Sequence, residues 1–325
     1  MDIRQLRYFV RIVDMGSFSK ASQTLHVAQP ALSQQIAKLE DFIGKPLLVR
    51  SSKGVTPNET GEALYHHARL VLRQFDQAMT IARSDHGEIT GVVSIGLPAT
   101  TVAAIGLPLI HRVRQSYPGI SINVVEGMSG HLEHLIRQNQ LDLAVLFARD
   151  LVADLTVEAL MVEELFLILP ASSDLFAGRD TVTMKDAAKV PLILPTSDHG
   201  LRRRIEAEFE SRALTPQVVA EIDSLALLMS CVHDDIGGTI KPMGAIIQEQ
   251  RRGREFRFLR FSDAQLYRSN YLYALQPDSI SSAASAIATE LRKTVDELVT
   301  SGEWDGFLPR PQEAGPVPDP VPEEA

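Results

Sequence analysis

The chain has 325 residues, 45% of them hydrophobic, enough to bury sizeable cores in two or three domains. Its net charge of −9 conceals a division, because residues 1–58 carry +4 and residues 59–325 carry −13. A single cysteine, Cys231, excludes an intramolecular disulfide framework, and no apolar run approaches the roughly 18 residues of a membrane span. The opening Met1-Asp2-Ile3-Arg4 has no apolar leader, so a soluble, cytoplasmic protein is expected.

The first predicted helix runs from Ile3 to Asp14, with Leu6, Phe9, Val10 and Val13 inward. Ser17 caps a short second helix whose inward residues are Ala21 and Leu25. His26, Val27 and Ala28 leave so short a turn that the next helix must cross the second. Pro30 suits the first turn of that third helix, where a missing N–H costs nothing, and Gln29 before it keeps its amide free. Leu32, Ile36 and Leu39 mark its buried stripe. Ser33, Gln34 and Lys38 lie opposite, neutral and basic donors that fit base edges and phosphates in a major groove. Ser17, Ser19, Gln29, Pro30 and Ala31, at the starts of the two helices, complete the DNA-facing set. No acidic residue lies between Met15 and Lys38.

Gly44 ends the helical pattern, and Pro46–Arg50 with Val55–Pro57 reads as a hairpin tipped by Ser51-Ser52-Lys53-Gly54. This is a wing, on which Lys45, Arg50, Ser52 and Lys53 are placed to reach phosphates or a neighbouring minor groove. A three-helix protein-interaction module is the alternative for residues 1–58. The basic head on an acidic body favours DNA.

These residues resemble the LysR-type family of bacterial transcriptional regulators. The resemblance rests on Phe9, Gly16 to Phe18, the alanine-bearing Ala21 to Leu25, and Gln29 to Glu40, which reads Gln-Pro-Ala-Leu-Ser-x-Gln-Ile-x-x-Leu-Glu. Ser22 departs from a usual alanine and Leu48 from a usual phenylalanine. Within the family, Leu25 to Gln35 and Arg50 to Pro57 are most similar to the nitrogen-assimilation-control branch.

Residues 59–88 read as a linker helix. Leu64, Ala68, Val71, Phe75, Ala78 and Ala82 alternate spacings of four and three, the seam of a coiled coil, and predict a dimer. The alternative is an amphipathic helix packed on its own domain, which its first positions partly adopt against the head. Two heads on one rod imply a partly palindromic DNA site. The resemblance implies paired linker helices, with a homodimer or a tetramer as the assembly.

From Gly91 onward strands and helices alternate: Val92–Leu97, helix Val102–Ser116, Ser121–Glu126, helix His131–Gln138 and Leu141–Phe147. That order predicts a parallel sheet with right-handed crossovers. A second run follows with Glu164–Leu169, Pro191–Leu194, helix Leu201–Arg212, Val218–Ile222, helix Ser224–His233 and Thr239–Ile240. Strand Tyr271–Leu275 and helix Ser281–Leu298 then return to the first sheet. Residues 91–302 thus form two α/β subdomains, one of about 91–162 and 266–302, the other of about 163–265. Pro309 to Ala325, with six prolines and four acidic residues, reads as a disordered tail. The fold class is α+β multidomain: an N-terminal winged helix-turn-helix, a coiled-coil linker helix, and a C-terminal α/β half that resembles the periplasmic-binding-protein-like effector domain of the family. The resemblance implies a cleft that closes on small ligands by hinge motion.

Open α/β sheets bind ligands beyond the C-terminal ends of their strands. Pro98, Thr100 and Thr101 follow the first strand, Ser129 the second, Thr196, Ser197 and His199 follow Leu194, and Ser224 follows Ile222. Thr239 in the Gly237–Pro242 segment joins them. Ser and Thr at helix starts are usually only caps. Recurring after four strands, they point to a small polar or anionic effector. Lys241 stands where the family usually has an apolar residue; either it supplies a cation to the cleft or it faces solvent.

Other residues read as structural. His233-Asp234-Asp235 lacks a second ligand pair for a metal, and Arg202-Arg203-Arg204 is a solvated helix face by default. No nucleophile elbow, P-loop, dinucleotide fingerprint or metal-ligand spacing occurs, so neither an enzyme nor a cofactor is expected. The partners expected are double-stranded promoter DNA, a second copy of the chain, the effector, and RNA polymerase. The rival reading is a small-molecule sensor that regulates no DNA.

Overall fold

The computed structural model describes residues 1–52, 54–83, 89–150, 155–197 and 199–310. They fall into two units, Met1–Gly91 with Arg137–Leu141, and Val92–Ile136 with Asp142–Ala325.

In the first unit, helices α1 (Ile3–Met15), α2 (Phe18–Leu25) and α3 (Gln29–Ile43) precede strands β1 (Leu48–Ser51) and β2 (Gly54–Pro57) and helix α4 (Glu59–Arg83). Each helix start has a local cause. Asp2 and Gln5 form a reciprocal capping box on α1, and the Ser17 hydroxyl accepts the Lys20 N–H at α2. No side chain caps α3, but Pro30 in its first turn removes one N–H that would need a partner. Gly16, His26 and Gly44 end the three helices in the left-handed conformation.

Phe9, Ile12, Phe18, Ala21, Leu32, Ile36, Leu39, Leu47 and Val55 share one core. On α1 it is Ile12, rather than the expected Val13, that is fully buried, while Leu6 turns toward Ala68 and Leu72 of α4. The helix lies between two neighbours, so its apolar arc divides between them. Asn58 ties the base of the hairpin to α4, accepting the Gly61 N–H at 2.8 Å and donating to the Pro46 carbonyl at 2.9 Å. A Cβ on Gly61 would lie 2.0 Å from the Leu47 carbonyl oxygen, so only glycine lets α4 pass so close to the wing.

The rest of the chain forms β3 (Gly91–Leu97), α5 (Ala99–Thr101), a π-helical turn (Val102–Gly106), α6 (Leu107–Ser116), β4 (Ile120–Glu126), α7 (Ser129–Arg137) and β5 (Leu143–Leu146). After these come β6 (Leu155–Pro170), β7 (Thr181–Val182), α8 (Met184–Ala187), β8 (Pro191–Leu194), α9 (Gly200–Glu210), β9 (Gln217–Glu221), α10 (Leu225–His233) and β10 (Thr239–Pro242). The last elements are α11 (Gly244–Gln250), β11 (Phe256–Phe261), β12 (Tyr267–Leu275), α12 (Ser282–Ser301) and β13 (Phe307–Pro309).

Sheet order runs β4-β3-β5-β12-β6-β11-β7, with β10 and β13 also paired to β6. β8 and β9 pair in parallel beside it, and Leu192 bridges to Gly238 just before β10. The expected parallel sheet is corrected to a mixed one, because β12 runs antiparallel to both β5 and β6. It follows β11 along the same strand, β6, without a crossover helix. β6 itself is longer than expected: its 16 residues pass through the crossing between the two halves, and the strand is buried along most of its length. Sequence reasoning did not assign β7, α8, α11, β11 or β13.

The core of one half gathers Leu165, Leu167 and Leu169 of β6 with residues such as Leu192, Leu201, Phe209 and Ile240. In the other half Val93, Ile95, Leu97, Leu143, Ile287 and Leu291 are buried. Met161, Met184, Met229 and Met243 are core residues, whereas Cys231 is only half-buried.

Candidate functional site

The buried stripe of α3 turns its other side outward. Gln29, Pro30, Ala31, Gln34 and Lys38 are exposed and Ser33 is half-buried. Gln29 is not free as expected, because its side-chain carbonyl accepts the Ser19 hydroxyl at 3.3 Å and so links α2 to α3. Ser17 is half-buried and its hydroxyl is engaged in the α2 cap, which leaves it a positioning role. On the wing Ser52 is exposed, and the Arg50 guanidinium lies 4.4 Å from the centre of the Phe18 ring. This cation–π contact holds an otherwise flexible side chain in place. Lys53 lies outside the described residues.

Glu40 was not among the expected site residues. Its carboxylate accepts the backbone N–H of Leu47 at 2.8 Å and of Leu48 at 3.3 Å, fixing where the wing leaves α3. Gln5 donates to Gln35 at 3.3 Å and ties α1 to α3 in the same way.

Along α4 the expected seam divides. Ala68 is buried against Leu6 and Leu72, and Leu64 packs on the head as well, so these two are corrected from partner-facing to head-facing. Val71, Phe75, Ala78 and Ala82 are exposed, and Met79 joins them.

In the α/β half, polar groups from distant segments converge. Arg268 on β12 is buried and donates to Glu163 at 2.5 and 3.1 Å and to the Thr100 hydroxyl at 2.9 Å. Its guanidinium stacks 3.7 Å from the centre of the Phe147 ring. Asn270 donates to the same Glu163 oxygen at 2.9 Å, while the other Glu163 oxygen, the Asn270 carbonyl and the Thr101 hydroxyl are buried without a hydrogen-bond partner among the described residues. His199 caps α9 by accepting the Leu201 N–H at 3.1 Å. Burial, then the nearby Lys241 and Arg268, push the His199 imidazole down to about 4. Lys241 is itself 5% exposed. Burial, then Arg268, lower its ammonium to about 7. Asp223, which accepts both the N–H and the hydroxyl of Thr196, is held below the usual carboxylate range chiefly by that N–H.

Thus Thr100, Thr196 and His199 meet around Lys241, Asp223 and Arg268. Of the two readings of Lys241, the solvent-facing one is excluded by its burial. Thr239 is buried and donates to the Ile193 carbonyl at 2.7 Å, and Ser224 caps α10 by accepting the Leu227 N–H at 3.4 Å. Pro98 precedes α5 without a side-chain cap, Ser129 starts α7 half-buried, and Ser197 is exposed. Arg202 is corrected from a solvated residue to a buried one, bridging Glu206, Glu221 and the Pro195 carbonyl. Among the described residues no group of three His, Cys, Asp or Glu could hold a metal, and no helix is long and apolar enough to cross a membrane.

Residues 3–62 match the family model of the bacterial regulatory helix-turn-helix protein, lysR family, and residues 86–296 match that of the LysR substrate binding domain. The chain is 38% identical over 246 residues to the nitrogen assimilation regulatory protein nac of Escherichia coli, covering 75% of this chain and 79% of that protein. It is 31% identical to the HTH-type transcriptional regulator BsdA of Bacillus subtilis, over 76% of this chain and 85% of that one. A full-length OxyR variant from Pseudomonas aeruginosa shares the fold with a TM-score of 0.73 at 21% identity, covering 97% of this chain and 99% of that one. With an outward-facing α3, a wing beside it and both domains matched, the chain belongs to the LysR family of bacterial transcriptional regulators, proteins that bind DNA.

Proposed function

We propose that the protein is a cytoplasmic regulator that reads a partly palindromic promoter site as a dimer or tetramer, under control of a small effector. The observation that carries this reading is the exposed face of α3, with Gln34 and Lys38 standing over the buried Leu32, Ile36 and Leu39. α3 enters the major groove, where Ser33 and Gln34 read base edges and Lys38 holds phosphate. Arg50, Ser52 and Lys53 on the wing add salt-dependent affinity. The exposed Val71, Phe75, Ala78 and Ala82 of α4 pair two copies. RNA polymerase is a further partner, and catalysis has no part in the activity. The similarity to a nitrogen assimilation regulator supports placing the chain in that branch.

The division of labour follows the domains 1–58 for DNA, 59–88 for pairing and 91–302 for the effector. In the effector part, 91–162 with 266–302 face 163–265 across the cleft that holds Thr100, His199, Lys241 and Arg268. Closure on a small polar or anionic ligand shifts the angle of the two halves and so the spacing of the paired heads. A mobility-shift titration against the promoter of the protein's own operon tests the reading. A sequence-selective band weakened by salt is expected, and its absence overturns the proposal. If a small molecule raises heat stability while no such band forms, the chain is a sensor that does not regulate that promoter.

A further inference from the structure

Two polar contacts bracket the apolar packing of α1 on α4. At one end the Arg7 guanidinium meets Asp76 at 2.7 Å, with side chains 49% and 64% exposed. At the other, the Tyr65 hydroxyl donates to the Asp14 carboxylate at 2.5 Å and accepts from the Arg69 guanidinium at 2.7 Å. Arg69 also lies 3.5 Å from that carboxylate and 5.5 Å from the centre of the Tyr65 ring. Leu6, Ala68 and Leu72 pack together between the two helices.

The two ends are unequal. Water screens the Arg7–Asp76 pair and leaves both side chains free to move apart. Asp14 and Arg69 are each only 28% exposed, and Tyr65 packs on the head core. Burial, then the bond to Asp14, raise the Tyr65 phenol above its usual value, so it stays a donor. Asp14 stands in the last turn of α1, where the helix dipole disfavours a carboxylate, and its partners on α4 offset that cost.

The same corner of α1 carries the DNA face. The Gly16 carbonyl accepts the Val55 N–H of the wing at 2.9 Å, and Ser17 beside it caps α2, which leads into α3. Whatever fixes Asp14 against α4 therefore fixes the wing and the α2–α3 pair against the linker. With two copies joined along α4, that angle sets how far apart the two α3 helices lie. One base pair is roughly 3.4 Å of duplex, so a small tilt changes the spacing that the two heads span.

Resting on the paired-head reading above, we propose that Tyr65, clasped by Asp14 and Arg69, is a positioning residue that holds each head at a fixed angle to α4 and so determines the half-site spacing the protein accepts.

The test uses the full chain and a duplex site that it selects from random DNA. The centre of that site is lengthened or shortened one base pair at a time, and one half is also offered alone. Fluorescence anisotropy reads affinity, and light scattering reads mass. The parent is expected to lose about five-fold or more in affinity when one base pair is added or removed. Tyr65→Phe keeps the ring and loses both hydrogen bonds. Its affinity should vary less than about two-fold over the same duplexes, with the mass and the single-half affinity of the parent. Asp14→Ala should behave likewise, and the double variant no worse than either, because all three remove one contact. Asp14→Asn keeps an acceptor for the Tyr65 hydroxyl and should retain the parent's spacing profile, as should Arg7→Ala.

A Tyr65→Phe profile equal to the parent's overturns the inference and leaves the paired-head reading standing. Equal weakening on every duplex, the single half included, also overturns it, because Tyr65 then only supports the head. A flattened profile in Arg7→Ala shows that any contact between α1 and α4 suffices, and overturns the assignment to Tyr65. A parent that selects no site, or has no preferred spacing, overturns the paired-head reading and this inference with it.

Discussion

The burial of Lys241 leaves a mark on stability. Its ammonium is lowered from 10.5 to about 7 in the folded chain, so between those values the unfolded state binds more protons. Stability therefore rises with pH across that window, and the full penalty is present below it. Lys241→Met removes the penalty, so its Tm at pH 6.5 should exceed that of the parent by roughly 5 °C. Scanning calorimetry at pH 6.5 and 9.5 checks this: the gap should shrink at the higher pH, and a variant less stable at pH 6.5 contradicts the assignment. His199 acts in the same sense lower down, where stability should fall as pH drops from 6.5 toward 4. At the DNA face, Gln34→Ala should relax base preference, whereas Lys38→Ala should weaken binding on all sequences and lower the salt slope by about one. Binding measured on a site and its single-base variants at several salt concentrations separates the two. The outward set on α3 was legible because helical periodicity and a proline at the helix start are local signals. Arg268 was not, because its partners Glu163 and Thr100 lie 105 and 168 residues away.

The elements of the head depend on one close approach and one hydrogen-bonded carboxylate. Gly61→Ala would drive a Cβ into the Leu47 carbonyl, so the wing or α4 must shift. The cost should be of the order of 2–3 kcal/mol in the unfolding of the head, read by denaturant titration. Glu40→Ala acts more narrowly. It leaves two N–H groups at the start of the wing without their acceptor, which costs about 1–3 kcal/mol if they stay dry. A footprint should then keep the α3 contacts and lose the flanking wing contacts. Loss of all protection together would show that Glu40 supports more than the wing. The wing strands follow from short patterns in the sequence. By contrast, α11 and β11 went unassigned because their short runs carry no start or stop signal that outweighs their neighbours. Both are shaped by what they pack on, α11 by the Thr100 backbone and β11 by β6.

At the scale of the molecule, the proposed pairing rests on the outer half of α4. Phe75→Glu puts a charge on the exposed apolar stripe without touching the head core, so it should halve the mass seen by light scattering and weaken DNA binding by ten-fold or more. The same change at Leu64 or Ala68 would test the head instead, because both pack there. Heptad spacing revealed the stripe, but it could not divide it, since a seam facing a partner and one facing the same chain have the same period. The α/β alternation likewise revealed the layering of helices on sheet and missed that the sheet is mixed, because the direction of β12 depends on how the chain returns along β6.

That return has a mechanical consequence. Leu155–Pro170 is one unbroken strand that belongs to both halves, and β12 is bonded alongside it from Tyr267 to Leu275. The two halves cannot swing apart on loose tethers, because any separation has to be taken up as twist along a hydrogen-bonded ribbon, which behaves as a torsion bar. The ribbon has one soft point, the register shift between Asn270 and Tyr271. The Glu163–Arg268 pair lies two residues from it, so a buried ion pair sits where the bar yields first.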